Sequence, residues 1–189
     1  KLNLFQILLL MKNKIMISFV IILFGCSSNL PAPIKTKPVE STDGEMILLG
    51  AINQANLITA EITPWFNSEY DRISIDPQWA DSLKPFLDGL SIKIFMGTWC
   101  EDSQREVPHL FKILNALDVD HRNLEMYAMT AEKTTPSNFE KGLNITNVPT
   151  FIFYKNGNEM NRFVELPVEN LAQDLAKIIK GETYHHSYK

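Results

Sequence analysis

Two strand-like runs, residues 151–154 and 159–165, flank the dipeptide Asn156-Gly157. This pair readily takes positive φ at both central positions of a two-residue turn, so it predicts an antiparallel hairpin and fixes its register. Whatever else the chain builds must accommodate that hairpin at the edge of a sheet.

Ahead of the hairpin, strand and helix patterns alternate. Residues 46–49 predict a first short strand. Thr63-Pro64 and Asp76-Pro77 each place a capping side chain before a proline at the first helical position. Behind the second, Trp79, Leu83, Phe86, Leu87 and Leu90 recur at helical spacing, with Pro85 as a kink and Gly89 near the end. Residues 92–96 predict a strand. A helix then opens near Cys100 and continues through Val107, Leu110, Phe111, Leu114 and Leu117. Residues 124–129 predict another strand, and Thr135-Pro136 a short helix ending near Gly142. After the hairpin, Pro167 opens a final amphipathic helix through Val168, Leu171, Leu175, Ile178 and Ile179, stopped by Gly181. Alternating β and α units of this kind predict an α/β fold: a mixed, partly parallel sheet with helices on both faces and an antiparallel closing hairpin.

The N-terminal stretch reads as an address. From Met11, the expected start of translation, Lys12 and Lys14 precede an apolar run over residues 15–24 that ends in Leu23-Phe24-Gly25-Cys26. A run of about ten residues fits the core of a signal peptide and is too short to span a bilayer. The tetrapeptide resembles the lipobox of bacterial lipoproteins. That resemblance implies cleavage before Cys26, lipidation of its sulfur and anchoring in the cell envelope; Ser27 in place of an acid, with no acidic stretch after it, points to the periplasmic face of the outer membrane. The expected organisation is a lipoprotein signal segment over 1–26, a Pro/Ser/Thr-rich linker over 27–44, a folded domain over 45–183 and a fraying tail over 184–189.

Composition narrows the partners. Hydrophobic residues make up 45% of the chain and charged residues 21%, enough apolar material for a core without disulfide staples. The formal net charge is −4, and the first 25 residues hold three lysines and no acid, so the body behind them is more acidic still. An acidic body without a basic cluster argues against nucleic acid as partner. No paired CxxC or similar ligand spacing is present, so neither metal nor cofactor is expected.

Chemistry concentrates at Gly97-Thr98-Trp99-Cys100-Glu101-Asp102-Ser103, between a strand and a helix. Unpaired backbone N–H groups and the helix dipole favour a thiolate at such a position, and the thiolate is the attacking species in disulfide exchange. Ser103 falls one turn later on the same face, where its hydroxyl is expected to donate to the sulfur. Glu101 and Asp102 suit a first helical turn, although their charge opposes a thiolate. Arg105 is expected in an exposed salt bridge, and His185 and His186 as tail residues.

The segment Trp99-Cys100-Glu101-Asp102-Ser103 resembles the WCxxC active site of the thioredoxin family, with Ser103 in place of the second cysteine. Pro108 matches the family's helix-kinking proline. Asn147-Val148-Pro149-Thr150 resembles its cis-proline loop, followed by strand, Asn156-Gly157, strand and helix; the match covers residues 75–181. It implies a thioredoxin-like fold in which Pro149 faces Cys100, the backbone at Val148 pairs with an extended client, and Trp99, Val148 and Thr150 line the substrate side. Two departures bear on activity. Ser103 cannot close a disulfide with Cys100, and the acid that many thioredoxins bury six residues before the nucleophile is Ile94 here.

The expected function is therefore monothiol exchange, in which Cys100, Ser103 and Pro149 handle a disulfide or capped thiol and an external thiol resolves the adduct. A non-catalytic peptide-binding lipoprotein is the alternative, favoured by Ser103 and Ile94. A peroxidase ranks below both, because the threonine that peroxiredoxins place three residues before the cysteine is Gly97. A cluster-binding glutaredoxin also ranks low, because its Gly-Phe pair is absent.

Overall fold

The computed structural model describes residues 30–188. Cys26, and the signal segment expected over 1–26, lie outside the described residues. The elements are β1 (Val39–Glu40), β2 (Met46–Ile47), β3 (Gly50–Ile52), α1 (Gln54–Thr59), α2 (Trp65–Tyr70), α3 (Pro77–Leu83), β4 (Leu90–Met96), α4 (Glu101–Ala116), β5 (Leu124–Ala128), β6 (Thr150–Lys155), β7 (Asn158–Val164) and α5 (Leu171–Lys180). Short 3₁₀ turns, Lys84–Phe86 and His121–Asn123, follow α3 and precede β5.

The main sheet has the order β3-β5-β4-β6-β7. Its centre is β4, parallel to β5 and antiparallel to β6; β3 and β7 close the edges antiparallel. In register, Ile94 sits between Met126 on β5 and Phe151 on β6. The first half of β4 alternates, with half-buried Ser91 and Lys93 between buried Leu90, Ile92 and Ile94, and its second half, Ile94–Met96, is buried on both faces as a central strand requires. Asn156 and Gly157 both take positive φ (51° and 81°), as the β6–β7 turn requires.

Helices gather on one face. Ile92, Ile94 and Met96 of β4 pack there with Phe66, Leu83, Val107, Phe111, Leu175 and Ile178. Phe66 and Phe111 join α2 to α4 with ring centroids 6.1 Å apart. The opposite face carries a smaller cluster of Phe95, Tyr127, Met129, Val148 and Ile152. The architecture is thus an α/β thioredoxin-like one, but among the described residues the second face lacks the helical cover expected of it, because the helix expected at Thr135 is a series of turns. Lys133, Asn138, Gly142 and Asn144 take positive φ, which a right-handed helix does not admit. Thr135 ties the segment into turns by accepting from the Phe139 N–H and donating to Glu140. Cover on this second face comes from that irregular segment, with Phe139 stacked on Tyr127 at 4.3 Å.

Other boundaries also move. The strand expected over 46–49 shortens to β2, paired only with β1, and the edge strand of the main sheet is instead β3, just after it. Asp76 caps α3 by accepting from the Gln78 N–H, but Thr63 does not cap α2; its hydroxyl donates to Leu57 and Ala60 carbonyls. The final helix begins at Leu171, not Pro167. The buried Asp174 carboxylate accepts from the Val168 and Glu169 N–H groups, and Asn170 becomes the cap.

The segments expected to be linker and tail pack on the body. Asn53 donates to the Ala32 carbonyl, and Asn56 exchanges hydrogen bonds with Ile34. At the other end Tyr184 is buried, with its hydroxyl donating to Asp174 and its carbonyl accepting from Asn161.

Two half-buried histidines are expected to make stability depend on pH. Burial lowers the pKa of both His109 and His121. His109 Nε2 lies 3.8 Å from Glu69 without a hydrogen bond, and His121 stacks on Phe111 with Nε2 2.9 Å from the Asn115 amide oxygen. The unfolded chain takes up these protons near pH 6.5 and the folded chain resists them, so stability is full above that value and falls as pH drops through it. The thermal midpoint is expected to fall between about pH 7.5 and 5.5, and to fall less in His109→Gln and His121→Asn. Melts across that range check it.

Candidate functional site

The site is built where β4 gives way to α4. Cys100 occupies the N-cap of α4 with extended backbone (φ −90°, ψ 121°), half-buried. Although it is the cap residue, its side chain makes no capping hydrogen bond to the N–H groups of the first helical turn. The preceding residues are fastened one by one. Thr98 is buried and accepts from the Leu48 N–H at 3.2 Å, while its carbonyl accepts from the Gln104 amide at 2.8 Å. The Trp99 indole N–H donates to the Met129 carbonyl at 2.9 Å, and the ammonium of Lys133 sits 5.5 Å from its ring. Gly97 is required by this packing, since a Cβ there would lie 2.5 Å from the indole.

Across from Cys100 lies the Asn147–Thr150 loop, whose Val148–Pro149 peptide is cis. The thiol donates to the Val148 carbonyl at 3.2 Å. Of the residues expected to act together, Cys100, Val148 and Pro149 are therefore brought into one place, and Trp99 lies alongside. Val148 as a whole is buried, however, with its side chain in the smaller cluster and its carbonyl taken by the Cys100 thiol. Thr150 is under the loop and not in a groove: it is buried, and its hydroxyl donates to the Asn147 carbonyl at 2.7 Å.

Ser103 also departs from expectation. It is fully buried, and its hydroxyl oxygen accepts from the Gly97 N–H at 3.2 Å; no hydrogen bond joins it to the sulfur. It serves as an internal clasp between α4 and the loop before it. Arg105 forms the expected salt bridges, to Asp102 at 2.6 Å and to Glu106 at 2.7 Å. Glu106 is buried, which pushes its carboxyl up despite the guanidinium beside it. The sequence reading missed Glu106, and also Glu165, whose carboxylate accepts from Asn147 at 2.8 Å. Nothing in the local pattern separates either from an ordinary surface acid. Among the described residues, no group of three His, Cys, Asp or Glu side chains is placed to hold a metal ion, and no helix is long and apolar enough to cross a membrane.

A mixed sheet whose central strand leads into a cysteine-capped helix, facing a cis X–Pro loop, defines the thioredoxin-like class. No protein-family profile matches the chain. It is similar to a thioredoxin-like protein of Acanthamoeba polyphaga mimivirus, 27% identical over 89 residues, covering 47% of this chain and 62% of the relative. The chain thus spans less than two thirds of that relative's length. Among solved structures it is similar to a Pseudomonas aeruginosa protein of unknown function (18% identity, 70% of this chain and 83% of the other, TM-score 0.48). Mitochondrial thioredoxin 3 from Saccharomyces cerevisiae (21%, 59% and 97%, TM-score 0.36) and a Fasciola hepatica thioredoxin (19%, 55% and 94%, TM-score 0.37) are also similar.

The contact between Gly97 and the indole gives a direct probe of the site. In Gly97→Ala the added methyl displaces Trp99 and breaks its bond to Met129, at about 1–3 kcal/mol for an overpacked position. Red-shifted tryptophan emission and a lowered denaturation midpoint are the expected readouts.

Proposed function

We propose that the chain is a monothiol exchange protein of the cell envelope, anchored by lipid at Cys26 and acting through Cys100. The observation that carries the reading is the half-buried Cys100 at the N-terminus of α4, its sulfur 3.2 Å from the Val148 carbonyl of the facing loop. The Cys100 thiolate attacks one sulfur of a client disulfide. A Cys100–client mixed disulfide forms, and the other client sulfur leaves as thiolate. An external thiolate then attacks the mixed disulfide, takes the client sulfur and returns the Cys100 thiolate. Ser103, lacking a thiol, cannot perform that second step. The Trp99 ring and the loop backbone hold the client chain beside the sulfur.

Incubation with a disulfide-bonded peptide tests this: intact mass is expected to show one peptide joined to Cys100, released by added small thiol. Absence of the adduct would leave the binding-module reading, which the buried Ser103 clasp and the fully buried Ile94 favour. Anchoring is checked separately, by labelling cells with a fatty-acid analogue and looking for label that Cys26→Ser abolishes.

A further inference from the structure

Where β7 ends, the chain turns back beside the site through Glu165, which holds a left-handed backbone conformation (φ 57°). L residues with a Cβ are disfavoured there, and glycine is not. The glutamate makes contacts that glycine could only partly replace. Its N–H donates to the Pro149 carbonyl at 2.7 Å. Its carboxylate oxygen accepts from the Asn147 amide at 2.8 Å and from the Tyr188 hydroxyl. Asn147 is held from its other side by Thr150, and the next residue along, Val148, carries the carbonyl that accepts from Cys100. Tyr188 arrives on a tail that Ser187 ties to the Leu166 carbonyl at 2.8 Å.

We propose that Glu165 is a positioning residue: through Asn147 and Pro149 it fixes the loop that faces Cys100, and thereby the site's fitness for extended peptide disulfides over small ones. The proposal rests on the exchange reading above. Glu165 touches no reacting atom. The backbone bond to Pro149 is available to any residue at 165, whereas the side-chain bond to Asn147 needs an acceptor of this reach. An extended client uses the loop backbone. A small aromatic disulfide needs only the sulfur. Loosening the loop therefore penalises the first and spares the second.

The test compares Glu165→Gln and Glu165→Gly with the chain that keeps Glu165 (wild type at that position), all carrying Cys26→Ser and held in detergent micelles. Glycine relieves the backbone and removes the acceptor, so Glu165→Gly is expected to melt no lower than wild type. Its amide exchange at 146–148 should quicken about tenfold, the scale of one lost hydrogen bond. Its reaction with a disulfide-bonded peptide should slow about five- to tenfold, and with an aromatic disulfide change less than about twofold. Glu165→Gln keeps an acceptor oxygen and should match wild type on all counts. Unchanged loop exchange in Glu165→Gly, equal slowing with both disulfides, or a Gln variant as impaired as Gly would overturn the proposal. If wild type reacts with neither disulfide, the exchange reading fails, and amide exchange alone still decides whether Glu165 positions the loop.

Discussion

Cys100→Ser is expected to abolish mixed-disulfide formation with every disulfide, while the fold stays intact. Cys100 is the only free cysteine among the described residues, and it is half-exposed at a helix cap. Serine is a good N-cap, so the change in stability should stay within about 0.5–1 kcal/mol. The comparison is made in a Cys26→Ser background, so that any adduct reports on Cys100 alone. Intact-mass detection of the adduct, alongside a denaturant melt, separates loss of chemistry from loss of fold.

The second large effect is a gain. Ser103→Cys places a second sulfur one helical turn from the first, where side chains three residues apart are neighbours. A resolving attack within the chain then competes with release by external thiol, and intramolecular attack has a large kinetic advantage. Steady-state mixed disulfide is expected to fall by about a hundredfold, with an internal disulfide between Cys100 and the introduced thiol accumulating instead. Ser103 is fully buried and accepts from the Gly97 N–H. A sulfur is a weaker acceptor, so a stability loss of about 1 kcal/mol accompanies the gain. If the mixed disulfide persisted unchanged in this variant, the missing cysteine would not be what makes the wild-type chain monothiol.

The parts of the fold legible in the sequence were those that local chemistry dictates. Asn156-Gly157 named its turn, Asp76-Pro77 its helix start, and the apolar run of 92–96 its central strand, because each signal acts within a few residues. The order strand, Cys100 helix, strand, loop and hairpin followed. What was misread depends on partners far along the chain. Thr63 looks like a cap, but α1 supplies carbonyls that take its hydroxyl. Pro167 and Val168 continue the apolar pattern of α5, yet Asp174 captures the backbone there and delays the helix. Residues 30–44 have a linker's composition, and Asn53 and Asn56 nevertheless hold them against the body. The site shows the same division. Cys100 and the Val148–Pro149 loop were readable from motif and spacing. Ser103 kept its place but turned its oxygen to Gly97, Thr150 went under the loop, and Glu165 became visible only once β7 had brought it beside Asn147.

The central claim is that the fold activates Cys100 for disulfide exchange, and one measurement addresses it most directly: the second-order rate of Cys100 with an aromatic disulfide at neutral pH, in the folded protein and in the same chain unfolded in urea. A sulfur held at the N-terminus of α4 is expected to react at least about tenfold faster folded than unfolded. Equal rates, or a slower folded protein, would contradict the exchange mechanism and leave a thioredoxin-like binding module in its place.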